Sequence, residues 1–109
     1  MKKYSLGLYE KAMPGTLNWK EKLETAKEAG YDFVEISIDA TEEKIARLDM
    51  TKEERFEIIK AMYEVGIPIR TMCVSALTKY SLGNNKEEYC KRGMEILEKS
   101  LQLADDLGI

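Results

Sequence analysis

The sequence predicts an α/β fold of three successive strand–helix units, with three parallel strands and three main helices. Three observations carry that prediction. Glycines close the helix-like stretches in "AKEAGYDFVEIS", "MYEVGIPIRTMC" and "ADDLGI" at Gly30, Gly66 and Gly108, 36 and then 42 residues apart. Glycine takes the left-handed conformation past a last helical turn without steric cost. Apolar residues follow each glycine, and a helix followed by a strand at such spacing is the unit of a parallel sheet. Finally, each helix-like stretch opens with a capping residue three positions before a glutamate.

The elements follow in order. "YSLGLY" (4–9) reads as the first strand. "NWKE" (Asn18 to Glu21) opens a helix over 19–29, with Trp19, Leu23 and Ala26 at helical spacing; the cap side chain accepts a backbone N–H while the glutamate reaches back. "DFVEISI" (32–38) is the second strand, alternating Val34, Ile36 and Ile38 with Phe33, Glu35, Ser37 and Asp39. A short helical turn is expected near Glu42–Leu48, and "TKEE" (Thr51 to Glu54) opens a helix over 52–65 with a stripe of Phe56, Ile59 and Met62 or Tyr63. "PIRTMCV" (68–74) is the third strand; Pro68 suits a first strand position, where a missing donor is tolerated. "NKEE" (Asn85 to Glu88) caps a helix over 86–107 with a stripe of Cys90, Gly93, Met94, Leu97, Leu101 and Ala104. Met62, Met72, Met94, Trp19 and Phe56 read as packing residues, and the Glu- and Lys-rich helix positions as solvated surface.

The second strand distinguishes two ways of using a parallel sheet. A sheet covered on both faces is apolar on both. Here one face is apolar and the other polar toward its C-terminal end, as in a barrel wall whose inner face leads to a site at the C-terminal rim. The 109 residues are one domain-sized unit, below the roughly 250 of a complete eight-stranded barrel. The expectation is a partial barrel over residues 1–109, with Ile109 the first residue of a fourth strand that the chain lacks.

Composition narrows the function. With 44% hydrophobic and 34% charged residues the chain is globular rather than disordered. Its apolar runs are too short to cross a bilayer, and the start "MKKYSLGLYEKAMPG" lacks a signal-peptide core, so the expected location is the cytoplasm. A net charge of −3 without a basic cluster gives nucleic acid little to bind. Cys73 and Cys90 lack metal-ligand spacing and read as packed, reduced thiols. There is no histidine, the commonest general base and a common metal ligand.

"LGLYEKAMP" (6–14), "GYDFVEISIDATEEKIARLDM" (30–50) and "TMCVSALTKYSLGN" (71–84), in this order, resemble the N-terminal part of the L-ribulose/L-xylulose 5-phosphate 3-epimerases. Members of that group are often labelled hexulose-6-phosphate isomerases and belong to the xylose-isomerase-like TIM barrels. The resemblance covers essentially the whole chain. It implies an eight-stranded barrel in which a divalent metal stabilises an enediolate while paired glutamates exchange the proton. It also implies that the metal ligands lie on later strands, so these residues supply no metal ligand and no catalytic group, and the fragment is inactive alone. The family usually has glutamate at Ala40, tryptophan at Met50 and histidine at Leu77, so polar and aromatic groups are missing here at strand ends.

Four residues are candidates for contact with a sugar phosphate: Tyr9, Glu10, Glu35 and Ser75. Tyr9 and Glu10 end the first strand at the expected catalytic face; Glu10 either accepts a sugar hydroxyl or is a rim carboxylate paired with Lys11. Glu35 and Asp39 share a strand face about 13 Å apart, too far for a carboxylate dyad. Glu35 pairs with a base inside the barrel or touches substrate, and Asp39 is equally suited to capping the turn that follows. Ser75, Lys79 and Asn84–Asn85 lie on the loop after the third strand, where a phosphate could use Lys79 and the helix start, although Asn85 already serves as a cap and "SLGNN" as a turn. Three strands with unpaired edges imply a second possibility, a non-catalytic module that associates with its own copies or with a partner.

Overall fold

The computed structural model describes residues 3–109, so Met1 and Lys2 of the expected domain lie outside it. Three parallel strands, β1 (Gly7–Tyr9), β2 (Phe33–Ser37) and β3 (Ile69–Cys73), form one sheet in the order β1-β2-β3. The main helices are α1 (Trp19–Glu28), α3 (Lys52–Val65) and α5 (Glu87–Leu107), with short helices α2 (Glu42–Ile45) and α4 (Ala76–Lys79) in the loops. Single 3-10 turns at Glu10–Ala12 and Ala46–Asp49 complete the connections. This is the (βα)3 arc of a barrel wall that the sequence predicts.

Local chemistry explains the boundaries. Asn18 with Glu21 and Thr51 with Glu54 form complete capping boxes at the starts of α1 and α3. Gly30, Gly66 and Gly108 have φ of +89°, +81° and +78°, the left-handed turns required to leave each helix. Two expectations need correction. The first strand covers only Gly7–Tyr9; just before it Leu6 is tied to Asp32 twice, its carbonyl accepting the Asp32 amide and its amide donating to the Asp32 carboxylate, each at 2.7 Å. The helix α5 is not capped by Asn85: Lys86 holds the cap position without a side-chain bond, and Asn84 Oδ1 accepts the Lys86 amide at 2.8 Å. A further expectation, that the helix after the third strand ends on a closing glycine, holds in detail: the Ile109 amide donates to the Ala104 carbonyl at 2.8 Å across Gly108.

The core lies between the sheet and the helices. Val34, Ile36, Ile38, Leu23 and Leu103 are fully buried, each worth about 2 kcal/mol in apolar transfer. On the opposite face Phe33, Glu35, Thr71 and Cys73 keep partial exposure, as a barrel interior would require. Between Val34 and Glu35 the register slips by one residue: Ile69 faces Val34 and Thr71 faces Glu35, leaving Arg70 as a bulge. The bulge lets Ile69 bury with the helices while Thr71, two residues on, joins the polar face.

The predicted stripes of α3 and α5 are rotated. The buried residues are Arg55, Ile58, Ala61 and Val65 on α3, and Gly93, Ile96, Ser100, Leu103 and Leu107 on α5. Phe56, Tyr63, Met94 and Leu101 are exposed instead, so Phe56 and Met94 are not packing residues here. Both helices carry apolar residues on two faces, and the sheet selects one.

Candidate functional site

The C-terminal ends of three parallel strands lie side by side, so Tyr9–Glu10, Ser37–Asp39 and Cys73–Ser75 share one rim. Strand alternation and register put Tyr9, Glu35, Ser37, Thr71 and Cys73 on the inner face. Tyr9 Oη donates to Ser37 Oγ at 3.0 Å, and Thr71 Oγ1 donates to Glu35 Oε2 at 2.8 Å. Of the candidates, Tyr9 and Glu35 are thus strand neighbours in one polar layer. Glu35 has a hydroxyl partner, and no basic side chain of the described residues bonds it. Ser75 is half-buried at the start of α4; its carbonyl accepts the Thr78 hydroxyl at 2.7 Å, and its own hydroxyl has no partner among the described residues.

Glu10 leaves Tyr9's face. It is 2% exposed and enters a 3-10 turn directed at the helices, where Lys22 of α1 donates to Oε2 at 2.6 Å. Arg47 forks across the carboxylate, with Nη2 2.8 Å from Oε2 and Nη1 on Oε1. The Ser37 amide donates to Oε1 at 2.7 Å, and Lys44 of α2 stands 3.4 Å from Oε2. Burial would push this carboxyl up, but the Arg47 and Lys22 bonds and the Ser37 amide outweigh it and bring the pKa down to about 2. The expected partner Lys11 pairs instead with Asp39, at 2.7 Å. Asp39 also accepts the Thr41 amide and hydroxyl at 2.9 and 2.6 Å; although burial opposes it, Lys11 and Thr41 lower its pKa to about 2. The capping of α2 falls to Thr41, whose hydroxyl accepts the Lys44 amide at 3.3 Å.

Ser37 is the residue the cluster controls. Its amide is held by Glu10, its carbonyl accepts Arg47 Nη1 at 2.9 Å, and its hydroxyl accepts Tyr9. The end of β2 is therefore fixed from both sides of the sheet. Sequence reasoning misses Ser37, Lys22, Lys44 and Arg47. A signal for one of them exists: Lys22 lies in the stripe of Trp19, Leu23 and Ala26, where a solvated lysine has no place. Trp19 covers this pocket of charge, with Lys22 Nζ 4.7 Å and Arg47 Cζ 5.2 Å from its ring.

The chemistry available here is orientation and hydrogen bonding. A divalent cation takes about six oxygen ligands. Among the described residues no three His, Cys, Asp or Glu side chains converge, and the oxygens of Glu10 and Asp39 are committed to cations and amides. These residues do not fit the metal that the family resemblance implies. Ala40, Met50 and Leu77 are half-buried and pack against the core. Both cysteines are free thiols, and no described helix is long and apolar enough to cross a membrane.

The chain is 42% identical over 108 residues to the L-ribulose-5-phosphate 3-epimerase UlaE of Escherichia coli O139:H28 (strain E24377A / ETEC), which covers 99% of this chain. It is likewise 42% identical over 108 residues to the proteins of that name from Shigella boydii serotype 18 and Salmonella heidelberg. The chain spans only 38% of the length of these relatives. The family model described as xylose isomerase-like TIM barrel matches residues 23–109, running from the first helix through β2 and β3 to the end of α5. With its parallel strands, polar inner face and helix-covered outer face, the chain belongs to the xylose isomerase-like TIM barrel family.

Proposed function

We propose that this chain is one arc of a metal-dependent sugar-phosphate 3-epimerase or isomerase acting on a ketopentose or ketohexose phosphate, and that it is inactive alone. The observation that carries this reading is the 42% identity along 99% of the chain to proteins named L-ribulose-5-phosphate 3-epimerase. The geometry supports the division of labour. Tyr9, Ser37, Glu35 and Thr71 form a polar wall able to hydrogen-bond sugar hydroxyls. Proton exchange needs a base whose pKa lies near the working pH, and Glu10, at about 2 and enclosed by cations, does not qualify. The base and the metal ligands belong to other barrel strands, and the setting is the cytoplasm.

A coupled assay with L-ribulose 5-phosphate and a divalent metal tests this. The purified chain should give no turnover, and fusion to the rest of the E. coli relative should restore it. Turnover by the chain alone would overturn the claim of inactivity. A folded fusion that neither binds nor converts the sugar phosphate would overturn the family-level reading.

A second reading is favoured by the open sheet: β1 and β3 are each paired on one side only, and Phe56, Tyr63, Met94 and Leu101 are exposed. We propose that isolated copies associate with one another through these edges and faces. Light scattering during size-exclusion chromatography should show a mass that grows with concentration; a clean monomer at high concentration would refute it.

A further inference from the structure

The cluster behind the rim is out of charge balance. One carboxylate, Glu10, faces three cations from three different elements: Lys22 of α1, Lys44 of α2 and Arg47 of the Ala46–Asp49 turn. Arg47, Lys22 and the Ser37 amide already supply the carboxylate with four short donors. Lys44 is the surplus cation. Its one polar contact among the described residues, at 3.4 Å, lies beyond the usual N–H···O range, and its side chain is 15% exposed, against 5% for Lys22. An ammonium that is largely desolvated, poorly paired and close to two other cations is destabilised relative to the neutral amine.

We propose that Lys44 is a reactive amine that takes up carbon dioxide as a carbamate. The step is balanced. The lone pair of neutral Nζ forms a bond to carbon, one C=O π pair moves onto oxygen, and the displaced proton passes to water or buffer. The product is an anion where a cation stood. Lys22 and Arg47 then face two anions, Glu10 and the carbamate, and the cluster is neutral. Charge identifies carbon dioxide among small electrophiles: acylation would only neutralise Lys44 and leave one cation in excess. Size agrees, because a side chain 15% exposed admits a triatomic molecule more readily than a sugar. Burial first, and then the Arg47 guanidinium, lower the Lys44 pKa from its ordinary value, against the pull of Glu10, which raises the neutral fraction that reacts.

The test uses the folded 109-residue chain in 13C-bicarbonate at mildly alkaline pH, with alkylation by a trialkyloxonium salt to fix carbamates before tandem mass spectrometry. The expected adduct is on Lys44, at several-fold higher occupancy than on the exposed Lys20 or Lys91. Bicarbonate should also raise the thermal midpoint of the native chain relative to chloride at equal ionic strength and pH, but not that of Lys44→Met. Lys44→Met alone should keep or raise the midpoint, because it removes the surplus cation. Label spread evenly over surface lysines, or its absence from Lys44, would overturn the proposal, as would a Lys44→Met midpoint well below the native one.

Discussion

The buried carboxylate makes a quantitative prediction about acid stability. Glu10 ionises at about 2 in the folded chain against an ordinary 4.5. At about 1.4 kcal/mol per tenfold change in proton affinity, that difference makes ionised Glu10 worth about 3 kcal/mol to the folded state. The sign follows from the direction: a depressed folded pKa stabilises above the unfolded value, and the contribution is lost as pH falls from about 4.5 toward 2. Urea unfolding of the native chain and of Glu10→Gln, repeated between pH 7 and 2.5, isolates it. The native-minus-variant stability should be constant above pH 5 and shrink by about 1.4 kcal/mol per pH unit below 4.5. Asp39 titrates in the same window, but it is present in both proteins and cancels in the difference. Glu10→Gln leaves three cations facing no anion, a loss of about 3–5 kcal/mol that approaches the whole stability of a small domain. If it prevents folding, direct carbon NMR titration of the native Glu10 carboxyl answers the same question. A difference that stays flat with pH, or a carboxyl midpoint near 4.5, refutes the description of Glu10 as the ionised hub of this cluster.

The remaining predictions concern backbone and caps. A β-carbon at Gly93 would lie 2.0 Å from the Tyr80 carbonyl oxygen and 3.0 Å from its carbon, so Gly93→Ala should cost about 1 kcal/mol or more in urea unfolding, despite alanine's better helix propensity. Gly7→Ala meets the Phe33 ring at 2.3 Å, and because a half-exposed ring can turn aside its loss should be smaller than that of Gly93→Ala. Asn18→Ala and Thr51→Ala should each lose about 1 kcal/mol by the same measurement, whereas Asn85→Ala should be neutral and Asn84→Ala should not. An equal effect of Asn85→Ala would restore the capping role that its spacing from Glu88 suggests.

The fold is legible because its signals are local. A cap three residues before a glutamate and a glycine past the last turn are chemical requirements of helix ends, and two of three caps and all three glycines serve as expected. The third cap fails for a local reason: Asn84 and Asn85 are adjacent possible acceptors, and the turn selects Asn84. The helix stripes fail for a tertiary reason. On α5, Met94, Leu97 and Leu101 compete with Ile96, Leu103 and Leu107, and no periodicity decides between two apolar faces. That choice depends on where α4 with the Tyr80 loop and the Ala46–Asp49 turn approach, and Gly93 marks the first of these.

The rim is legible only as far as the strands carry it. Tyr9 and Glu35 fall on one polar layer because alternation along parallel strands requires it, and their neighbours Ser37 and Thr71 follow from register. Glu10 follows Tyr9, so alternation turns it to the opposite, helix-covered face, and the 3-10 turn that begins there seats it behind the sheet rather than at the rim. Its partners come from residues 22, 44 and 47, 12 to 37 positions away, each looking like ordinary helix surface charge. For Lys22 alone among them burial is foreshadowed by position, since it interrupts the apolar stripe of α1; outside this cluster Arg55 likewise precedes Ile58, Ala61 and Val65 on the buried face of α3. Arg55 donates to the Leu48 carbonyl at 3.0 Å and pairs with Asp106 of α5, joining three segments as Glu10 joins its own. A charge in an apolar stripe has to find a counter-charge or a carbonyl on another element, because leaving it unpaired costs several kcal/mol. Such positions therefore point to the long-range contacts that periodicity alone does not reveal.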